Sequence, residues 1–254
     1  MSPSKIFASS NLDTPTHAEL EGRRVFISGI GNASGERLAW AFAQQRTRLV
    51  LHSPQPMLQA AAVADTAKVC ATAVRLFSGD LGSERGASER LARAALGAFG
   101  GFDLVVNLIG GSTKAVVSTV SNEDLEQAVA DELRPAQVLA RAVADHARNS
   151  GQPAAIMHVC LTKSGKLAEF AYYAMLKAGL ESMVQDQARR WFSHDICVYA
   201  FLPAIADESF DDGWEADNVV SARSNFDSAL ASIVLNAACG RSQWLNGVTV
   251  AVPG

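Results

Sequence analysis

Short apolar runs alternate with longer helical patterns along most of the chain, and this alternation constrains the fold more than any other feature. The apolar runs are RRVFISG, TRLVLHS, AVRLFSGD, FDLVVNLIGG, PAAIMHVCL, ICVYAFLPA and GVTVAVPG. Helical patterns such as ERLAWAFAQQ separate most of these runs. Strands that alternate with helices form parallel sheets, and continuously apolar strands indicate burial on both faces. We therefore predict an α/β fold, a doubly wound parallel sheet of about seven strands with helices on both faces.

No internal repeat, low-complexity block or linker divides the chain, so we predict one domain over residues 20–254. Residues 1–19 have no long apolar core and are expected to form a flexible N-terminal extension, not a signal peptide. No apolar run approaches the roughly 18 residues that span a membrane. A net charge of −4 argues against nucleic-acid binding. The four scattered cysteines predict reduced thiols, a cytoplasmic protein and no metal site.

Glycines are concentrated where the first predicted strand runs into the first helix, in the segment SGIGNASGERLAWAF. Gly29, Gly31 and Gly35 would let the backbone approach a pyrophosphate, and the helix N-terminus supplies N–H donors and partial positive charge. A tight strand-to-helix turn also requires glycine. The position of this turn, after the first strand of an alternating pattern, favours a Rossmann-like dinucleotide site.

The segment FAYYAMLKAGL places two tyrosines shortly before a lysine. Tyr173 and Lys177 are one helical turn apart and would share a face, whereas Tyr172 points elsewhere. A lysine ammonium close to a phenol lowers the phenol pKa from its usual value near 10, so the pair could transfer a proton near neutral pH. The alternative is an amphipathic helix in which the spacing has no chemical role.

Together these motifs resemble the short-chain dehydrogenase/reductase family. The resemblance is carried by LEGRRVFISGIGNASG, by GDL after the third strand, by NLIG after the fourth, by the Tyr173–Lys177 pair and by LPA after the sixth strand. It covers nearly all of the chain. It implies an NAD(P)-dependent oxidoreductase that interconverts a carbonyl and a secondary alcohol by hydride transfer.

The resemblance also implies a cofactor site. In the family's T-G-x-x-x-G-x-G turn, Ala33 replaces the middle glycine. The family's adenine-binding aspartate matches Asp80, and of its N-N-A-G motif only Asn107 and Gly110 are kept. The predicted cofactor-binding residues are Ser28, Gly29, Gly31, Ala33, Ser34, Gly35, Ser53, Asp80, Leu81, Asn107, Gly110, Tyr173, Lys177, Pro203 and Ala204.

The end of the second strand bears on the choice between NAD and NADP. An acidic residue there would bind the adenosine ribose and repel a 2′-phosphate. This chain has Ser53, whose hydroxyl can donate to a phosphate, and His52 could assist. We predict NADP in preference to NAD. The alternative is that this segment merely forms a turn.

In the family, the tyrosine is the acid/base and the lysine binds the nicotinamide ribose and lowers the tyrosine pKa. The resemblance assigns these roles to Tyr173 and Lys177. Enoyl reductases of the same superfamily space the two residues seven apart, and because Phe170 stands at that place here, that branch is disfavoured.

Two positions of the family's catalytic set are altered. The family's serine, thirteen residues before the tyrosine, is Cys160 here, and a thiol is a weak hydrogen-bond donor. Thr162 or Ser164 could substitute, and the alternative for Cys160 is a small buried apolar residue. The family's helix asparagine is Glu132 here. Either its backbone keeps the role, or its carboxylate points at Lys177, or it is a solvated side chain.

After the sixth strand, Pro203 and Ala204 stand in place of the family's P-G pair, and the acid-rich segment 206–226 is predicted to be a flap over the substrate. The altered positions support an alternative function, a pseudoenzyme that binds nucleotide or a partner subunit with little turnover. The resemblance implies a small-molecule carbonyl or alcohol substrate and a homo-oligomer, either a tetramer or a dimer. No membrane or nucleic-acid partner is expected.

Overall fold

The structure is a computed structural model that describes residues 16–54, 56–79, 81, 86–110, 122–161, 167–203, 227–241 and 243–252. Its centre is a sheet of seven strands in the order β3-β2-β1-β4-β5-β6-β7, and all of the pairs are parallel. The strands are β1 (Arg24–Ser28), β2 (Arg48–Ser53), β3 (Ala73–Ser78), β4 (Leu104–Ile109), β5 (Ala154–Cys160), β6 (Ile196–Pro203) and β7 (Thr249–Val252). Each predicted strand is therefore confirmed.

Helices lie between consecutive strands, and the sequence predicted those between β1 and β6. The α-helices of the described residues are α1 (Ala33–Gln44), α2 (Met57–Ala67), α3 (Ala87–Phe99), α4 (Asn122–Ser150), α5 (Leu167–Trp191) and α6 (227–236). A π-helical turn, Ala237–Arg241, follows α6, and a 3₁₀ turn, Ala18–Leu20, precedes β1. The sequence interpretation had not assigned α6. Among the described residues, no helix is both long enough and apolar enough to cross a membrane.

The sheet separates two apolar cores, which is why its strands are apolar throughout. On one face, Ile27 and Leu49 pack with Leu38 and Phe42 of α1. On the other face, the neighbouring Phe26 packs with side chains of α3, α4 and α5, and its ring lies 5.2 Å from that of Phe102. Successive strand residues face opposite sides, so both sets of alternating positions must be apolar. The doubly wound architecture is confirmed.

An ion pair joins β1 and β4 at the amino edge of the sheet. Arg24 Nη2 lies 2.6 Å from Asp103 Oδ1, and the Arg24 backbone N–H donates to Asp103 Oδ2 at 2.8 Å. Burial would raise the Asp103 pKa, but the hydrogen bonds and charge of Arg24 outweigh burial and hold that pKa below its ordinary value. This pair fixes the register in which the two strands start.

At the carboxyl edge, the contact between β1 and β4 depends on glycine. Gly29 has a φ of +89°, and a Cβ there would lie 2.8 Å from the Leu108 carbonyl oxygen. A Cβ on Gly35 would lie 2.9 Å from both Ile30 Cα and Leu108 Cδ1. Side chains at these positions would push the first turn of α1 away from the sheet.

Replacing Gly35 with alanine tests this contact. Since the clash is with backbone and a buried leucine, we expect Gly35→Ala to lower the free energy of unfolding by about 1–3 kcal/mol in urea denaturation. The matched control is Gly97→Ala in α3, where an added Cβ meets nothing within 4 Å. That variant should be about 0.5–1 kcal/mol more stable than wild type. Equal stability of wild type and Gly35→Ala would contradict the packing described.

Candidate active site

The strand order changes direction between β1 and β4, and the candidate site lies at the carboxyl ends of these strands. The chain leaves β1 toward β2 on one side, whereas β4 and its successors lie on the other side. In open parallel sheets a crevice forms at this switch point, and ligands bind there. The glycine turn after β1 and Gly110 after β4 border the crevice.

The glycine turn is held in place by backbone and side-chain hydrogen bonds. The N–H groups of Gly29 and Ile30 donate to the His52 carbonyl oxygen at 3.0 and 2.9 Å. Asn32 caps α1: its Oδ1 accepts from the Gly35 N–H at 2.9 Å, and its Nδ2 donates to the Gly29 carbonyl at 3.2 Å. The result is a fixed turn that leads directly into a helix N-terminus, an arrangement that suits a pyrophosphate.

Gly31, Ala33 and Ser34, the remaining predicted residues of this turn, differ in backbone conformation and in exposure. Gly31 has a φ of +128°, in the region that favours glycine. Ala33 is exposed as the first residue of α1, so its methyl group does not block the helix N-terminus. Ser34 is buried, and its hydroxyl donates to the Asp227 carboxylate at the start of α6. A cofactor contact at Ser34 would therefore use its backbone N–H.

Ser28, His52 and Ser53 form a buried group at the carboxyl ends of β1 and β2. His52 Nε2 lies 2.8 Å from the Gly79 carbonyl, so Nε2 donates and Nδ1 accepts from the Ser28 hydroxyl 3.4 Å away. Ser53 has no exposed surface, and its carbonyl accepts from the Gly79 N–H. His52 thus links the end of β1 to the end of β3, and the Ser53 side chain lies inside the protein.

Asn107, another predicted cofactor residue, belongs to a buried polar chain. Its Nδ2 lies 3.4 Å from the Ala136 carbonyl of α4 and 3.4 Å from His158 Nδ1 in β5. His158 Nε2 in turn donates to Gln187 Oε1 of α5 at 3.0 Å. The three side chains are buried, and Asn107 Oδ1 has no hydrogen-bond partner among the described residues. The chain joins β4 and β5 to the two long helices that cover them.

Glu132 reaches the end of β4 and contacts the backbone there. Its Oε2 accepts from the Gly110 N–H at 2.9 Å, so the carboxylate faces the sheet edge and is not a solvated helix side chain. Cys160, at the end of β5, is completely buried. Burial, together with the negative charge of Glu132, raises the pKa of the Cys160 thiol to about 12. The residue at the family's serine position is therefore a protonated thiol within the core.

The helix that carries Tyr173 and Lys177 packs against the same edge. A Cβ on Gly110 would lie 3.2 Å from Leu176 Cδ2 and 2.7 Å from the Leu161 carbonyl, so the third turn of α5 and the residue after β5 border the end of β4. Position 173 lies in α5 three residues before Leu176, and its side chain is outside the part of the chain that the structure describes. Lys177 is about half exposed, with Nζ 4.0 Å from Glu181 Oε1.

The other predicted positions lie at the same edge or outside the described residues. Leu81 is half buried, and its carbonyl accepts from the Ser88 hydroxyl at 3.3 Å. Pro203 ends β6 beside Val252 of β7. Asp80, Thr162, Ser164, Ala204 and the predicted flap 206–226 lie outside the described residues. The structure thus brings the β1 turn, the β4 end and the α5 backbone together.

Sequence reasoning missed several residues that shape the site. Asn32 could have been recognised, because an asparagine directly before a helical pattern is a favoured N-cap residue. Asp227, His158 and Gln187 carry no local signal. Their roles depend on contacts with residues far away in the sequence.

Known proteins share this pattern over most of the chain. Residues 28–241 match the family model described as Enoyl-(Acyl carrier protein) reductase. An uncharacterized oxidoreductase of Mycobacterium tuberculosis is 28% identical over 189 residues, which cover 74% of this chain and 69% of the relative. A hydroxyacyl-CoA dehydrogenase of Mycobacterium tuberculosis is 26% identical over 204 residues, which cover 75% of this chain and 63% of the relative.

Solved structures show the same fold. A short-chain dehydrogenase from Mycobacterium smegmatis superposes with a TM-score of 0.76 at 17% identity, and the match covers 94% of this chain and 95% of that one. A short-chain dehydrogenase/reductase from Serratia marcescens gives a TM-score of 0.75 at 21% identity, with 94% and 98% covered. At these identities the likeness establishes the fold.

The buried chain around His158 generates a pH prediction. Burial lowers the pKa of His158 to about 4 from its ordinary value of 6.5, and the Gln187 hydrogen bond only partly opposes this shift. Between these two pH values the unfolded chain binds a proton that the folded protein does not, so stability falls as pH falls through this window. Relative to His158→Gln, wild type should lose about 3 kcal/mol of unfolding free energy between pH 7 and pH 4.

Urea denaturation at several pH values measures this difference, and the control is His194→Gln, because His194 is exposed. The control should follow the wild-type pH dependence, whereas His158→Gln should give a flatter one. Identical slopes for wild type and His158→Gln would show that burial of a neutral imidazole has no part in acid sensitivity.

Proposed function

The chain belongs to the short-chain dehydrogenase/reductase family, and on that premise we propose that it is an NAD(P)-dependent oxidoreductase that interconverts a carbonyl and a secondary alcohol. One observation carries the proposal. The capped glycine turn after β1, the end of β4 and the part of α5 that bears Tyr173 and Lys177 meet at the switch point of one parallel sheet. A dinucleotide bound at the turn would extend toward α5 along that edge.

Tyr173 is proposed as the acid/base. It would protonate the substrate oxygen during reduction and remove the alcohol proton in the reverse direction. When bound, the nicotinamide dinucleotide supplies or accepts the hydride. Lys177, one turn later in α5, would hydrogen-bond the nicotinamide ribose and lower the tyrosine pKa from its usual value near 10. The exposed ammonium of Lys177 must then turn from Glu181 toward the crevice.

Glu132 is proposed as a positioning residue. Its carboxylate accepts the Gly110 N–H at the end of β4, where the crevice begins. This hydrogen bond fixes the peptide that separates the cofactor site from α5. Glu132 stands on α4 at the position of the family's asparagine, and its carboxylate lies beside the carboxyl edge of the sheet.

The substrate class follows from the Tyr173–Lys177 spacing and from the relatives. The four-residue spacing favours carbonyl chemistry, and Phe170 at the seven-residue place argues against enoyl reduction, although the matching family model carries that description. One relative is a hydroxyacyl-CoA dehydrogenase, an enzyme named for a hydroxy group in its substrate. We propose a small-molecule carbonyl or alcohol substrate, a cytoplasmic location and a homo-oligomer, either a tetramer or a dimer.

A second candidate function is a pseudoenzyme that binds nucleotide or a partner subunit. The burial of Cys160 favours it, because a protonated thiol within the core cannot act as the hydroxyl donor that the family places there. Thr162 or Ser164 must then supply that donor for turnover to occur. A nucleotide-binding pseudoenzyme and the enzyme predict the same cofactor binding and differ in catalysis.

Tyrosine-to-phenylalanine variants distinguish the two functions. A panel of ketones, aldehydes and quinones is screened for substrate-dependent NADPH and NADH oxidation. Tyr173→Phe should lower kcat at least about 100-fold, because it removes the proton donor, while the cofactor Kd measured by calorimetry stays unchanged. The adjacent Tyr172→Phe is the matched control and should keep the wild-type kcat.

Each result of this screen favours one function. Equal activity of Tyr173→Phe and wild type would remove Tyr173 from the chemistry. Cofactor binding without oxidation of NADPH or NADH by any compound of the panel would support a nucleotide-binding pseudoenzyme. Absence of both binding and turnover would contradict the enzyme and the nucleotide-binding pseudoenzyme, and it would leave only the partner-subunit role.

The cofactor preference has its own test at the end of β2. No acidic side chain stands there to repel a 2′-phosphate, so we propose NADP in preference to NAD. Since Ser53 is buried, its hydroxyl must become accessible to reach that phosphate. Ser53→Ala should weaken NADP binding about tenfold and leave the NAD Kd unchanged, as expected for loss of a hydrogen bond to a charged group. Unchanged NADP affinity would exclude Ser53 from the site.

A further inference from the structure

Three potential metal ligands meet where the 3₁₀ turn before β1 contacts the π-helical turn after α6. His17 immediately precedes the 3₁₀ turn Ala18–Leu20, Glu19 lies within it, and Cys239 lies in the π-helical turn after α6. The imidazole nitrogen, carboxylate oxygen and sulfur all lie within 4.8 Å of one another. These residues stand before β1 and after α6, toward the amino edge of the sheet, whereas the candidate active site lies at the carboxyl edge.

The histidine of this cluster is anchored but has an unsatisfied atom. The His17 backbone N–H donates to Gln45 Oε1 at 2.7 Å, and Gln45 is buried just after α1. Within the part of the chain that the structure describes, His17 Nε2 is buried and has no hydrogen-bond partner. Burial without a partner is unfavourable for either tautomer of a neutral imidazole. A cation bound to the lone pair of this nitrogen would satisfy it.

We propose that His17, Glu19 and Cys239 bind a divalent transition-metal ion, with Zn²⁺ as the ion that best matches the ligands. Zn²⁺ accepts imidazole nitrogen, carboxylate oxygen and thiolate sulfur together, whereas Mg²⁺ and Ca²⁺ require oxygen ligands. Three protein ligands leave one position of a tetrahedral ion for water.

Binding requires a change at Cys239. In the described structure its Sγ donates to the Leu235 carbonyl at 3.2 Å, so the residue is a thiol. On binding, the S–H bond breaks, its proton goes to solvent, and the sulfur lone pair forms the bond to the metal. No electron is transferred. The affinity therefore increases with pH.

The bound ion would join the segment before β1 to the segment between α6 and β7. Both segments border the core through Leu20 and Ala237, which are buried. A metal that binds the folded chain more tightly than the unfolded one raises the melting temperature. The sequence predicted no metal site because the three ligands come from opposite ends of the chain and show no local spacing.

Cobalt titration of the 254-residue chain tests the site, because thiolate ligation of Co²⁺ gives a charge-transfer band in the near ultraviolet. We expect the band to saturate at one equivalent of Co²⁺ and to disappear on addition of Zn²⁺. Cys239→Ser should lose the band. Cys197→Ser, which removes another half-buried thiol in β6, should retain it.

Glu19→Gln keeps the test decisive if Cys239→Ser fails to fold, because Glu19 is exposed and its replacement leaves the core intact. This variant should bind Co²⁺ at least about tenfold more weakly. Mutation of residues that only hydrogen-bond to metal ligands already lowers metal affinity by about 10–100-fold, and Glu19 is proposed as a ligand itself. Zn²⁺ should raise Tm more in wild type than in Glu19→Gln. A wild-type protein without the band, a band that persists in Cys239→Ser, or a Glu19→Gln titration equal to wild type would each overturn the proposal.

Discussion

The close approach of three glycines to neighbouring backbone and side chains fixes the carboxyl edge of the sheet, and the candidate site depends on it. Gly29 lies against the Leu108 carbonyl, Gly35 against the Leu108 side chain, and Gly110 against the Leu161 carbonyl. These contacts bring the first turn of α1, the end of β4 and α5 to one place. The proposed nucleotide site requires that no side chain occupies these positions.

Most of the fold could be predicted from the sequence, because the signals for its elements are local. Each apolar run became a strand, and the glycine turn lies where the alternation of strands and helices put it. The helix α6 was missed, although Leu230, Ala231, Val234 and Leu235 repeat at helical spacing and are buried. The acid-rich segment that precedes α6 predicts an exposed flap, and this periodicity begins only after that segment.

The candidate site was predicted less completely, because its details depend on contacts between distant residues. Glu132 was considered as a partner of Lys177, but its carboxylate accepts a backbone N–H of β4. The Ser34 hydroxyl donates to Asp227 of α6, so the predicted contact of Ser34 with a cofactor would use its backbone N–H. The sequence predicts that such residues lie near the carboxyl edge of the sheet, but it does not predict the hydrogen-bond partner of each side chain.

Hydrogen–deuterium exchange with and without NADP tests most directly whether the glycine edge binds a dinucleotide. Peptides that cover residues 28–36 and 104–110 should exchange more slowly when NADP is present, because the ligand orders the turn and covers its amides. Peptides from the amino edge, such as residues 17–24, should be unaffected. Unchanged exchange over residues 28–36 at NADP concentrations that saturate binding would contradict the placement of the site.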